Sequence, residues 1–190
     1  MAETGRIPTR EEAWELLCEW TTTPGLRGHA LAVEAAMRAY ARHYGQPEEL
    51  WGVIGLLHDF DYERHPTEEE HPTKGAEELR RRGYDESLIR AIMSHADYLH
   101  IPRESLVEKV LYAVDELTGL IIATALVMPN RTLAEVTPQS VRKKMKSKSF
   151  ARKVNREDII KGAEALGVDL DEHIARVLKA LQEIAPTLGL

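Results

Sequence analysis

Leu50-Trp51-Gly52-Val53-Ile54-Gly55-Leu56-Leu57-His58-Asp59-Phe60-Asp61 is the stretch on which the reading of the fold turns. Pro47 stands just upstream, where it can open a helix. The run from Leu50 to Leu57 is apolar nearly all round and shows no period-two alternation, so it predicts a helix at the centre of a bundle. It then runs straight into an imidazole and a carboxylate. His58 and Asp59 beside an apolar helix end need partners, because burying such groups unpaired costs several kcal/mol. Neighbouring residues on a helix point about 100° apart, but a loosening helix end lets both side chains converge on one ion.

Working outward, helical signals dominate. Thr9-Arg10-Glu11-Glu12 reads as a capping box that opens a helix to about residue 20. Pro24-Gly25 is expected to break the chain before a second helix at 26–44. Its stripe is Leu26, Ala30, Val33, Met37, Tyr40 and Tyr44, and Gly45 ends it. Downstream of the central run comes a polar loop, 61–70, and a helix over 72–82 that stops at Gly83. Asp85 can cap a helix over 86–96, and Pro102 and Ser105 precede a long one over 106–128, closed by Pro129-Asn130. Further helices are expected near 138–145, 156–166 and 170–184. The expectation is an all-α, single-domain helical bundle of about eight helices over 1–190, with a core motif region at 26–128 and a C-terminal helical extension at 129–190.

Composition narrows the function classes. The chain has 190 residues, 43% hydrophobic and 29% charged, which suits one soluble globular domain. A net charge of -6 argues against a nucleic-acid surface as the main business of the protein. The single cysteine, Cys18, excludes an intrachain disulfide and fits a reducing compartment. Residues 1–10 are polar with no apolar core, so no signal peptide is expected. The longest apolar stretch, 117–128, holds Thr118, Gly119 and Thr124 and is too short to span a bilayer. A cytoplasmic location without a membrane partner is the expectation.

Other chemistry-bearing residues sit beside apolar faces. His29 shares a face with Leu26, Val33 and Ala36, and His95 with Leu88 and Ile92. Asp115 lies inside Val110-Leu111-Tyr112-Ala113-Val114-Asp115-Glu116-Leu117, on a face with Leu111, Thr118 and Ile122. His71 opens the fourth helix. Each has an ordinary reading alone: a histidine beside an apolar stripe is usually a satisfied core residue, Asp115 can pair with an arginine, and a His-Asp dipeptide arises by chance. Together, four imidazoles and two carboxylates on five segments make a ligand set for one or two divalent metals. Two metals about 4 Å apart can share an activated hydroxide and clamp a phosphoryl oxygen.

The ordered set H…HD…H…H…D (His29, His58-Asp59, His71, His95, Asp115), with the segment Gly55-Leu56-Leu57-His58-Asp59-Phe60-Asp61, resembles the HD-domain superfamily in its HDIG-like form. The resemblance covers about residues 28–119. It implies a helical bundle and the hydrolysis of phosphate monoesters or diesters. Because both extra histidines, His71 and His95, are present, it implies two divalent ions, of Mn, Fe, Ni, Co or Mg. Asp59 would bridge; His29, His58 and Asp115 would hold one ion, His71 and His95 the other. The Gly-Tyr-Pro element of cyclic-di-GMP-specific relatives is missing, which argues against that substrate. The expected activity is a metal-dependent phosphohydrolase, using metal-activated hydroxide on a small phosphorylated molecule such as a nucleotide or cyclic nucleotide. A di-iron oxygenase on the same ligands and a non-catalytic, metal-stabilised ligand-binding module are the alternatives.

Asp59 and Lys74 are the catalytic candidates, Lys74 because it follows His71 by three residues on one helix face and can reach a phosphate; the other reading is a solvated lysine. Asp61 and Glu63 are candidates to orient ligands or act as a base, and Asp97 and His100 follow His95 closely. His43, His65 and His173 sit among polar residues and read as solvated. The one strongly basic run, 142–153, reads either as a solvated face or as a phosphate-binding flap carrying Lys146, Lys148 and Arg152. Phe150 is its one aromatic residue, too little stacking surface for a nucleic-acid groove.

Overall fold

The computed structural model describes residues 5–190, so the first four residues of the polar N-terminal segment lie outside the described residues. The fold is all-α. Among the described residues there are ten α-helices and two 3₁₀ turns, the longest stretch between helices being 58–72, and the only β-type pairing is an isolated bridge between Arg6 and Tyr84.

Helix α1 (Arg10–Trp20) starts at the expected capping box, with the Thr9 hydroxyl accepting from the Glu12 amide and the Glu12 carboxylate accepting from Thr9 N–H. Helix α2 (Pro24–Tyr44) begins earlier than expected. Pro24 opens it instead of breaking the chain, since a first-turn residue has no helical partner for its N–H in any case. Gly45 closes it at φ 62°, a left-handed conformation open to glycine at little cost. Helix α3 (Glu48–Leu57) is the central run, and every residue from Trp51 to Leu57 is buried. It packs along α2. Gly55 permits the approach: a Cβ there would lie 3.0 Å from the Val33 carbonyl oxygen.

Helix α5 (Glu86–Met93) packs on α3, and α4 (Thr73–Arg81) packs on α5. Helix α5 stops at Met93, short of the expected 96, so His95 stands in the turn beyond it. The Arg103 guanidinium donates to the carbonyls of Ser94 and His95 and so satisfies acceptors that another helical turn would have used. Helix α6 (Leu106–Leu126) opens on a Ser105–Glu108 capping box and crosses the bundle, packing on α2. Helices α7 (Pro138–Met145), α8 (Arg156–Leu166), α9 (Leu170–Glu183) and α10 (Ala185–Leu188) close the far side. Gly162 of α8 sits so close to α6 that a Cβ would lie 2.5 Å from Ala113 Cα.

His173 on α9 overturns its reading as a solvated residue. Its imidazole is wholly buried, its Nε2–H donates to the Ala113 carbonyl at 2.8 Å, and its Nδ1 accepts from the Tyr40 hydroxyl at 2.5 Å. The charged neighbours that suggested solvation, Asp171 and Glu172, are exposed, while His173, Ile174, Val177 and Leu181 form the buried face. His65 is half-buried near the Trp20 ring, and His43 is exposed as expected. No helix among the described residues is long and apolar enough to cross a membrane.

Candidate metal centre

The centre forms where α3 ends. His58 and Asp59 occupy the turn after Leu57, and His58 is fully buried. The His58 Nδ1–H donates to the Gly55 carbonyl at 2.7 Å, the local bond that a helix end leaves available. That fixes its Nε2 as a bare acceptor. His58 Nε2 lies 3.2 Å from His29 Nε2 of α2, 3.3 Å from Asp59 Oδ2 and 3.4 Å from Asp115 Oδ1 of α6. His29 Nε2 is 3.0 Å from the same Asp115 oxygen. The ligand atoms of His29, His58, Asp59 and Asp115 all fall within 4.8 Å of one another.

Asp59 turns its other oxygen towards a second group. Asp59 Oδ1 is 3.2 Å from His71 Nε2 and 3.2 Å from His95 Nε2. His71 Nδ1–H donates to Asp61 Oδ1 at 2.8 Å, and His95 Nδ1–H donates to the Ile92 carbonyl at 2.6 Å. Both rings have therefore spent their one neutral-state proton, yet their Nε2 atoms face each other at 3.2 Å. Two lone pairs at that distance repel unless a positive charge lies between them. The donor set, imidazole nitrogen and carboxylate oxygen with closed contacts behind each ring, fits a divalent cation in each group.

The electrostatics point the same way. Burial disfavours the charged His58 imidazole, but the Asp59 and Asp115 carboxylates outweigh it and hold the group well above the ordinary histidine range. Burial likewise opposes the charged form of His71, and hydrogen bonds to Asp59 and Asp61 lift it to about 9. Burial alone would raise Asp59 and Asp115, yet the facing imidazoles keep both well below the usual carboxylate range. Without a metal, this cluster draws in protons; the position asks for cationic charge.

A cavity of about 580 Å³ opens over both groups, with His29, Asp59, His71, His95 and Asp115 on its floor. Its wall holds residues the sequence reading passed over: Tyr62, Tyr98, Tyr112, Glu116, Asn155 and Asp158. The Tyr98 hydroxyl donates to the His71 carbonyl at 2.7 Å, and the Tyr112 hydroxyl donates to Asp158 at 2.8 Å. Tyr112 and Gly119 follow from Asp115 by helical spacing, so that part of the wall was legible. Asp158 and Asn155 arrive from the tail, and only folding reveals them. Burial, then the charge of Asp115, pushes the Glu116 carboxyl up to about 7.

The expected phosphate-binding residues are not brought to this cavity. Lys74 is half-exposed, pairs with Glu77 at 2.9 Å and lines a separate groove beside Trp20 and His65. Lys146 lines a shallow groove with Arg142 and Asp171, and Lys148 and Arg152 are exposed. The basic segment is pinned from behind, where the Arg156 guanidinium donates to the Phe150, Ala151 and Val154 carbonyls. Among the described residues, no lysine or arginine lines the cavity. Glu63 binds the amides of Thr22 and Thr23 at the start of α2, away from the ligands, and His100 is exposed. Asp97 does line the cavity, paired with Arg103.

A scan against protein-family models matches the HD domain over residues 26–120, half of the 190-residue chain and the segment that contains all six clustered residues. Searches of curated proteins and of solved structures return no significant match.

Proposed function

The chain belongs to the HD-domain family, whose members are in general metal-dependent hydrolases, and on that premise we propose that it is a metal-dependent phosphohydrolase acting on a small phosphorylated molecule. The observation that carries the reading is the pair of ligand groups joined by Asp59, one on each carboxylate oxygen, at the floor of a single cavity. His29, His58 and Asp115 with Asp59 Oδ2 would hold one ion. His71 and His95 with Asp59 Oδ1 would hold the other. Bound divalent ions supply Lewis acidity towards a phosphoryl oxygen and a nucleophilic water ionised near neutral pH.

The residues of the chain supply position. Three of the four rings, those of His58, His71 and His95, are oriented from behind by Gly55 O, Asp61 and Ile92 O, so their lone pairs point inward before any ligand arrives. His58, wholly buried, closes the floor, while the other five residues face the cavity from which a substrate would enter. The wall narrows the substrate. Asp97, Glu116 and Asp158 line it without a lysine or arginine, so a polyphosphate tail would find no cationic side chain on the wall to pair with. A substrate with one phosphoryl group, such as a nucleoside monophosphate, a cyclic nucleotide or a simpler ester, suits it better, its charge met at the floor.

The test is turnover by the stripped protein after add-back of Mn²⁺, Fe²⁺, Ni²⁺, Co²⁺ or Mg²⁺. The panel is p-nitrophenyl phosphate, bis(p-nitrophenyl) phosphate, nucleoside monophosphates and cyclic nucleotides. Metal-dependent release of phosphate or alcohol is expected. No turnover with any metal, or metal-dependent O₂ uptake in place of hydrolysis, would overturn the reading.

A further inference from the structure

Asp61 lies just past Asp59, and its side chain is fully buried. A carboxylate taken out of water needs strong donors. One of its oxygens accepts from His71 Nδ1–H at 2.8 Å, and the other from the Gly75 amide at 2.7 Å. The Gly75 amide belongs to the first turn of α4, where N–H groups lack helical partners. Pro72 at the cap position makes no side-chain capping bond, so Asp61 caps the helix from another segment, at the end where negative charge is favoured. The arrangement needs a glycine: a Cβ on Gly75 would lie 2.8 Å from Asp61 Cγ and Oδ2 and 3.0 Å from Phe60 Cε1.

The other three imidazoles have neutral partners. His58 and His95 give their Nδ1 protons to backbone carbonyls, and His29 Nδ1 has the Thr118 hydroxyl at 3.5 Å. His71 alone hands its proton to a carboxylate. The two ligand groups also differ in charge: the first holds Asp59 and Asp115, the second only the shared Asp59. We infer that Asp61 is the positioning residue of the second metal position, holding His71 Nε2 on target and supplying the negative charge that the shared Asp59 does not. Asp61 therefore governs the affinity of the second ion and leaves the first unaffected. This rests on the two-ion reading above.

The experiment titrates the metal-free, full-length protein with Mn²⁺ by calorimetry, with bound ions counted by electron paramagnetic resonance. Wild type takes up two ions. In Asp61→Asn the amide NH₂ must face either the Gly75 N–H or His71 Nδ1, and the second choice moves the ring proton to Nε2, into the metal position. The variant keeps the first ion and binds the second about 10–100-fold more weakly. Gly75→Ala displaces the carboxylate without removing its charge and gives the same selective loss. Leu79→Ala, a buried α4 position outside the centre, lowers the melting temperature without separating the two affinities.

Should the Asp61 and Gly75 variants not fold, nitrogen-detected NMR of wild type loaded with Zn²⁺ decides. The His71 Nδ1 proton resonates downfield of those of His58 and His95 if the inference holds, because it alone faces a carboxylate. Equal affinity for both ions in Asp61→Asn, equal loss of both, or a His71 Nδ1 proton no further downfield than those of His58 and His95 overturns it. Wild type that binds fewer than two ions removes the two-ion reading and this inference together.

Discussion

Acidification should weaken this bundle through one buried ring. Burial lowers His173 from its ordinary 6.5 to about 4, against a smaller upward push from its bond to the Ala113 carbonyl. The folded value lies below the unfolded one, so between them the unfolded chain binds a proton that the native protein does not. The associated stability is complete above about pH 6.5, falls as pH drops, and levels off below about pH 4. A gap of that size corresponds to about 3 kcal/mol in total, of which about 2 kcal/mol is gone by pH 5. The assay compares urea unfolding of wild type and His173→Met near pH 7.5 and near pH 5, with chelator present so that the metal centre contributes equally to both. The variant is the less stable near neutrality, because it leaves the Tyr40 hydroxyl without its acceptor. Its deficit then shrinks by about 2 kcal/mol at the lower pH. A deficit that stays constant between the two pH values would refute the argument, since it would mean that His173 takes up its proton as readily folded as unfolded.

Mn²⁺ at about a hundred times its dissociation constant should stabilise the folded protein by about 2.7 kcal/mol, a rise of roughly 5–10 °C by differential scanning fluorimetry. His58→Gln should abolish most of the rise; an unchanged melting temperature in wild type would count against converging ligands. Lys74→Ala and the triple change Lys146→Ala, Lys148→Ala, Arg152→Ala should leave kcat/KM within about twofold, less than 0.5 kcal/mol of barrier. A tenfold loss would show that the basic segment reaches the substrate after all. Gly162→Ala should cost about 1–3 kcal/mol in urea unfolding, because its Cβ meets α6 backbone at 2.5 Å. Gly28→Ala, with open space around the added Cβ, should stabilise by up to about 1 kcal/mol.

The fold was legible where local rules act alone. The all-round apolar run before His58 became the buried α3, and the Thr9 capping box and the Gly45 terminus appear where spacing placed them. Pro24 and the end of α5 were misread because the same residue type can break or open a helix, and because Arg103 arrives from beyond the segment to satisfy its carbonyls. Apolar faces marked His29, His58-Asp59, His95 and Asp115 as inward, but the six clustered residues were legible as an ordered set through the resemblance to the HD-domain superfamily, and His71 entered only with it. The part of the cavity wall that comes from the tail was not: Asn155 and Asp158 reach it only because α8 packs on α6. His173 was misread for a related reason. Charged neighbours on a helix say little about a residue about 100° away, and the apolar partners at 174, 177 and 181 were the better guide.

Consistency elsewhere gives the conflict at the centre its meaning. Six of the ten described helices open on a side-chain cap, the core is apolar, and nearly all buried polar atoms among the described residues have partners. In such a bundle, local preferences agree with the fold almost everywhere. Yet two pairs of imidazole nitrogens meet at 3.2 Å, and hydrogen bonds behind His58, His71 and His95 aim them there. If these rings only filled space, nothing would require their Nδ1 atoms to be so held, and rotating one ring would relieve the repulsion. Instead the chain fixes the repulsion in place and surrounds it with two carboxylates that stay ionised. That opposition is resolved by positive charge arriving from outside the chain, which is why the bonds behind the rings speak for metal binding as strongly as the ligands in front.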